Sequence, residues 1–318
     1  MLRHASTLYA MIEAYELFPD AELARAIERG LSYLSRSGIQ TFYAEDEKPF
    51  SYVIDGVDKD SLEIKLGANA AAIMAFTKYS SVFQSNKYLS FARQLATGIL
   101  KLQNRNGSFQ HVLHYPSLEL KESFRIIYYD GEAAFALMKL YHLDQDEQWL
   151  QSVEKAFDYF IANNYWKHHD HWLSYCTNEL TMYRPLRKYF EFGLRNVEDK
   201  LDFIYHRQTT YPTFLELTLA AYRMIQHIHQ TNNSDLLENF DERKLLNTIH
   251  RRAEYQRNGY FYPELAMYFK KPNKIAGSYF IRHHSFRSRI DDVEHYLSGY
   301  CQYYKLFFRT IRLRRERT

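Results

Sequence analysis

Three stretches of the chain repeat one arrangement of apolar and polar positions. They are LYAMIEAYELFPDAELARAIERGLSYL (Leu8 to Leu34), AAIMAFTKYSSVFQSNKYLSFARQLATGIL (Ala71 to Leu100) and AAFALMKLYHLDQDEQWLQSVEKAFDYFI (Ala133 to Ile161). Each opens with a small-residue helix pattern that ends near Tyr15, Tyr79 or Tyr141. A short turn follows, then a second helix pattern carrying Leu23, Leu89 or Leu150, with Ala26, Ala92 or Val153 three residues on. That spacing puts each pair on one helical face. The leucines recur 66 and 61 residues apart, too long for a tetratricopeptide repeat of about 34.

The two helices of a pair differ in kind. The first is rich in alanine and poor in charge (Ala70, Ala71, Ala72, Ala75; then Ala133, Ala134, Ala136). The second alternates charge with apolar residues (Glu22, Arg25, Glu28, Arg29; then Glu147, Glu154, Lys155, Asp158). A helix apolar on most sides is buried, and one with a charged face lies outside. Further pairs are expected at Asp170–Tyr183 with Val197–Arg207 and at Thr213–Gln230 with Asp235–Gln256, before a last helix over Ile290–Ile311. About eleven helices follow from apolar periodicity. Hairpins with first helices inside and second helices outside form an all-α, (α/α)6-like toroid, with an open solenoid as the competing arrangement. No linker rich in Pro, Gly or Ser divides the chain, so one domain over residues 1–318 is expected.

In such a ring the first helices run parallel and their N-termini meet at one rim. Arg3 and His4 precede the first helix; Lys65, Gly67 and Asn69 open the second; Tyr128, Tyr129, Asp130 and Glu132 open the third. Asp170, His171 and Trp172 open the fourth, Tyr211 to Thr213 the fifth, and SFRSRIDDVEH (Ser285 to His295) the last. Unpaired N–H groups and the helix dipole bias that rim toward anions. The two longest connections, Gly38–Ile64 and Asn104–Tyr128, also lead into it. Loops beyond about 12–15 residues often serve as lids or binding loops. The second reads as hairpin-like, with GSFQHVLHY and SFRIIYY as its arms.

The candidate chemistry sits at these helix starts. Asp130 and Glu132 suit an acid and a base, because a shared cleft can separate the pKa values of two carboxylates; helix capping is the plainer role. Asp291 and His295 share a helical face, as a carboxylate-oriented histidine would. Arg287 and Arg289 suit a carboxylate or phosphate clamp, against a plain salt-bridged helix start. Glu179 and Glu216, inside first helices, are further candidates. In KHHDHW (Lys167 to Trp172) adjacent histidines point apart, so no metal is expected. Asp170 reads as a helix cap and Trp172 as a ring-facing residue. No cofactor is expected either, since no Gly-rich phosphate loop, G-x-S-x-G or C-x-x-C occurs.

Composition narrows the class. Hydrophobic residues make up 46% of 318, and net charge is +3. The 28 Tyr and 22 Phe are the outlier; tyrosine suits a cavity lined with flat faces and hydroxyls. Two cysteines fit a reducing compartment. No apolar stretch approaches the roughly 20 residues of a membrane span, so a cytoplasmic location is expected. The basic tail RTIRLRRERT reads as a solvated helix end, and no nucleic-acid partner is expected.

GEAAFALMKLYHLDQDEQWLQSVEKAFDYF resembles the hairpin unit of six-hairpin glycosidase-like toroids. It is similar to N-acylglucosamine 2-epimerases and to the C-terminal domain of glucuronyl C5-epimerases. RHASTLYAMIEAYEL and RIDDVEHYLSGYCQYY look like the opening and closing helices of such a ring. The start at Arg3-His4 gives the expectation of a ring incomplete at its N-terminal side, or of a fragment. The resemblance implies a carbohydrate substrate in a central cavity and a sugar epimerase, isomerase or glycoside hydrolase. Asp130, Glu132, His295 and His4 would then move protons. Arg3, Asn69, Tyr128, Tyr129, Asp170, Trp172, Arg287, Arg289 and Asp291 would hold the sugar. The alternatives are a non-catalytic helical-repeat protein that binds a glycan or peptide, and a metal-dependent cyclase on a related ring.

Overall fold

The structure is a computed structural model that describes residues 1–43, 45, 48–56 and 61–308. The basic stretch from Arg309 to Thr318 therefore lies outside the described residues. The chain falls into two compact units, Met1–Asn196 and Val197–Thr318.

The first unit holds four helical hairpins: α1 (Leu2–Leu17) with α2 (Ala21–Tyr33), α3 (Leu66–Phe83) with α4 (Leu89–Leu102), α5 (Tyr128–Asp144) with α6 (Glu147–Ala162), and α7 (His171–Tyr183) with α8 (Arg187–Arg195). The first helices α1, α3, α5 and α7 pack side by side in that order, and each also packs on its own second helix. This is the inner and outer division that the alanine and charge patterns predict. Ala70, Ala72, Ala75, Ala133, Ala134 and Ala136 are wholly buried. The second helices start on side-chain caps where the sequence supplies them: Asp20 accepts from the Leu23 amide and Asp146 from the Gln148 amide.

The fourth hairpin departs from expectation. Its outer helix is α8, not the Val197–Arg207 stretch. Arg187, Lys188 and Glu191 alternate there with the buried Tyr189, Phe190 and Phe192, an amphipathic pattern only nine residues long.

The two long connections are not plain loops. They contribute β1 (Ile39–Phe42), β2 (Phe50–Asp55), β3 (Glu63–Lys65), β4 (Val112–His114) and β5 (Leu120–Glu122), an antiparallel sheet in chain order. The central register sets Ile64 opposite Leu113 and Lys65 opposite Val112. The expected hairpin is present, but its second strand lies upstream of the SFRIIYY arm. Strand β3 runs directly into α3, so the sheet sits at the N-terminal end of a first helix.

The second unit comprises α9 (Leu201–His206), α10 (Thr213–Ile228), α11 (Glu242–Gln256), the one-turn helices α12 (Pro263–Ala266) and α13 (Pro272–Ile275), and α14 (Ile290–Phe307). Helix α10 packs on α11 and on α14, and α9 packs on α11. The buried guanidinium of Arg252 ties the approach to α10 in place: it donates to the carbonyls of Arg207, at 2.6 Å, and Thr209. Gln256 adds bonds to the carbonyls of Tyr211 and Pro212 at 3.2 and 3.0 Å. Burial lowers the Arg252 pKa to about 10, and carbonyl acceptors offset part of the cost of placing that charge inside. Between α11 and α14, Phe261, Ala266 and Phe280 form a small separate core with Leu265, Phe269 and Ile275.

Candidate functional site

In the first unit the helix starts converge as the ring argument requires. A methyl group on Gly67, in α3, would lie 2.3 Å from the Glu132 Oε2 and 2.5 Å from the Tyr129 ring. One on Gly131, in α5, would lie 2.3 Å from the Asp170 Oδ2 and 2.8 Å from the Trp172 Cβ. Glycine at both positions is what lets the starts of α3, α5 and α7 approach one another. The Met1 nitrogen lies 2.6 Å from the Asp55 Oδ1, and the Lys65 Nζ lies 2.8 Å from the Asp55 Oδ2. The start of α1 thus stands beside the ends of β2 and β3.

Asp130 is the buried centre of this group, at 2% exposure. It does not cap α5; its Oδ2 lies 3.1 Å from the His111 Nε2. The tautomer follows from the other ring nitrogen. His111 Nδ1 accepts the backbone N–H of Arg125 at 2.9 Å, so the proton sits on Nε2 and is donated to Asp130. Both nitrogens of His111 are therefore committed. Burial raises the Asp130 pKa above the ordinary carboxylate value, against the opposing pull of His111. His111 was passed over in the sequence because it belongs to a connection rather than a helix start; its place in the quoted arm GSFQHVLHY was the available signal.

Around Asp130 stand aromatic and acidic groups. Tyr129 packs 5.5 Å from the His111 ring, and burial followed by the Glu132 charge pushes its hydroxyl up to about 12. Tyr128 is more open and meets the His171 ring edge-on at 5.8 Å. Trp172 packs against Phe135 at 5.9 Å and Tyr175 at 5.7 Å. Asp170 caps α7, accepting the amides of Trp172 and Leu173 at 3.1 Å each.

Beside them lies a charged knot on the sheet. Arg125 holds both oxygens of Glu63 at 2.8 and 3.0 Å, with Lys121 at 2.8 Å and Lys65 at 3.2 Å. Arg125 foremost, then Lys121 and Lys65, keeps the Glu63 carboxyl well below the usual range.

Three candidates of the first unit have other work. Asn69 is wholly buried, accepts the Val53 amide at 2.9 Å and donates to the Lys65 carbonyl at 2.7 Å, joining β2 to α3. His4 donates to the Gly30 carbonyl at 2.9 Å and meets the Tyr33 ring, so it faces the outer helix α2. Glu179 pairs with Lys139 at 3.2 Å. Arg3 is exposed at the start of α1.

In the second unit Glu216 of α10 brings a carboxylate to His295 from another helix. The His295 Nδ1 lies 2.8 Å from the Glu216 Oε2. A carboxylate can only accept here, so Nδ1 carries the proton, and Nε2 lies 3.9 Å from the Glu294 Oε1. Glu216 is buried, and the His295 side chain keeps 20% of its surface open. Asp291 and Asp292 serve the arginines. Arg289 reaches Asp291 at 3.0 Å and Asp292 at 3.3 Å, and Arg287 reaches Asp292 at 3.5 Å. The i, i+4 spacing puts Asp291 and His295 on one face of α14, and α10 adds Glu216 to that histidine.

No protein-family model matches the chain, and no curated protein is similar to it in sequence. Solved structures are similar in fold. A sugar epimerase from a ruminal bacterium is 12% identical with a TM-score of 0.67, over 95% of this chain and 86% of that one. A D-mannose isomerase is 12% identical with a TM-score of 0.66, over 96% and 87%. An α-mannanase of Bacteroides thetaiotaomicron is 10% identical with a TM-score of 0.60, over 96% and 86%. The fold is of the mostly helical (α/α)6-toroid class. No helix among the described residues is long and apolar enough to cross a membrane.

Proposed function

We propose that the chain is a carbohydrate-active enzyme that moves a proton at the carbon beside the carbonyl of a sugar, as an epimerase or isomerase. The observation that carries this reading is the Glu216–His295 pair at 2.8 Å. In it the buried carboxylate accepts Nδ1–H and would stabilise positive charge on the ring, and Nε2 is the atom proposed as base. Nε2 would take the proton from carbon 2 of an open-chain sugar, and Glu216 would stabilise the imidazolium that forms. Returning the proton to carbon 1 gives isomerisation; returning it to carbon 2 on the other face gives epimerisation and needs a second acid. The similar structures, a sugar epimerase and a D-mannose isomerase, support the substrate class.

A second reading, glycoside hydrolysis, is favoured by one observation in the first unit. Asp130 is a buried carboxyl whose pKa burial raises, as a general acid requires. Tyr128, Tyr129 and Trp172 are assigned to sugar contact in that unit, and Arg287 and Arg289 in the other. Asp170, Asn69, Asp291 and His4 are assigned to holding the scaffold. We retain one domain over residues 1–318 as part of this reading, supported by matches that each span 95% or 96% of the chain.

The test is incubation with free aldoses in deuterated water. Deuterium appearing at carbon 2, lost in His295→Ala, supports proton transfer. Release of reducing ends from mannan without exchange at carbon 2 would favour the hydrolase instead. Neither reaction, with sugar binding intact, would leave a glycan-binding protein.

A further inference from the structure

The stretch from Tyr260 to Arg289, which precedes α14, has an unusual charge. It carries Lys270, Lys271, Lys274, Arg282, Arg287 and Arg289 against a single carboxylate, Glu264. That is more net positive charge than the whole chain has, at +3, so the charge is concentrated here rather than spread. Part of this stretch folds back on the approach to α10. The Arg282 amide lies 3.4 Å from the Thr210 Oγ1, and the Tyr296 hydroxyl bonds the carbonyls of both Thr210 and Phe280.

This folding builds a basic and aromatic surface at the entrance to two helices. The Tyr211 ring lies 5.5 Å from His283 and 6.2 Å from His284, and the two imidazoles are 4.4 Å apart. Arg207 and Arg287 stand close enough to His283 to lower its pKa, together with burial, the larger cause, and His284. Arg207, Tyr211, Arg282, His283 and His284 are all exposed. Among the described residues neither Arg207 nor Arg282 has a carboxylate partner, whereas Arg287 is shared with Asp292 at 3.5 Å. Like charges gathered without counter-ions cost free energy, which a bound anion would offset. The chain's own stretch from Arg309 to Thr318 is basic and is no candidate to neutralise them.

We infer that this surface binds an anionic group, a phosphate ester or a carboxylate, carried by the sugar on which Glu216 and His295 act. The inference rests on the reading of that pair as the proton-transfer group. Tyr211 lies two residues before α10, on which Glu216 is the fourth residue, and the basic stretch ends where α14, which bears His295, begins. The surface therefore stands at the entrances of the two helices that hold the pair. A sugar ring resting on Tyr211 would have its charged substituent among Arg207, Arg282 and the two histidines. Guanidinium groups offer paired N–H donors to either anion.

The experiment is calorimetric titration of the full chain with mannose, mannose 6-phosphate and mannuronic acid, at low and at high salt, repeated on the Arg207→Ala/Arg282→Ala variant. The expected result is that an anionic sugar binds on the order of tenfold tighter than mannose at low salt. That preference shrinks at high salt and disappears in the double variant. A preference for only one of the two anions identifies which group the surface takes. Mannose binding as tightly as both anionic sugars would overturn the inference and leave the proposed function standing. A preference that survives in the double variant would overturn it as well. Failure of all three sugars to bind would overturn both. A single-stranded oligonucleotide displacing the anionic sugar at far lower concentration, through the same two arginines, would mark a nucleic-acid surface instead and overturn it.

Discussion

Two histidine–carboxylate pairs, His111 with Asp130 in the first unit and His295 with Glu216 in the second, are wired in opposite senses. In the first, His111 spends Nδ1 on a backbone amide and gives its Nε2 proton to Asp130, both groups being almost wholly buried. In the second, His295 gives its Nδ1 proton to Glu216, with part of the ring open. The chemistry of the side chains is the same. What differs is which ring nitrogen faces the carboxylate and how far the ring is buried. A wholly buried histidine bonded through both nitrogens holds structure, and one whose ring is partly open can exchange protons with a ligand. The first pair fastens the residue before β4 to the start of α5; the second is the one proposed above as the proton-transfer group.

The largest expected effect is on turnover. His295→Ala should lower kcat by roughly 10²–10⁴-fold, with the circular dichroism spectrum unchanged, measured on whichever sugar shows exchange at carbon 2. Glu216→Gln should cost less, about 10–100-fold, because the amide keeps a neighbour for Nδ1 but not the charge that stabilises imidazolium. If His111→Ala lowered kcat as much as His295→Ala without loss of stability, the contrast between the pairs would collapse.

His111→Ala should instead act on folding. It leaves the Arg125 amide and Asp130 without their shared partner, at a cost of about 1–3 kcal/mol, to be read from the urea midpoint.

The smallest effects concern pH, and their signs separate two carboxylates of the same unit. Glu63 has a depressed folded pKa, so its ion pairs contribute stability above the ordinary value of 4.5, and that contribution is lost as pH falls below it. The melting-temperature gap between the native chain and Glu63→Gln should therefore narrow on acidification. Asp130 has a raised folded pKa, so its favourable contribution is full below the ordinary 3.8 and is lost as pH rises through the folded value. Relative to Asp130→Asn, the native chain should lose ground over that rise. Parallel trends for the two variants would contradict the assignment of Asp130 as the buried acid.

The hairpins were legible in the sequence because burial imposes a period. Ala70 to Ala75 and Ala133 to Ala136 must lie inside whatever their neighbours are, and the charges of Glu22, Arg25 and Glu147 must lie outside. The sheet was less legible. Its strands are three to six residues long, too short for alternation to stand out from a loop. Helix α8 was missed for the same reason: nine residues give little more than two turns of pattern.

Sequence by itself determined the inner and outer helices and placed Tyr129, Asp130, Glu132, Asp170 and Trp172 at helix starts, because periodicity and capping are local consequences of residue order. Only tertiary structure decided the partners. Asp130 meets His111 from a strand connection, His295 meets Glu216 from another helix, and Asn69 and His4 are spent on the scaffold. A hydrogen bond acts over about 3 Å, and no spacing along the chain states which distant residue will come within that reach.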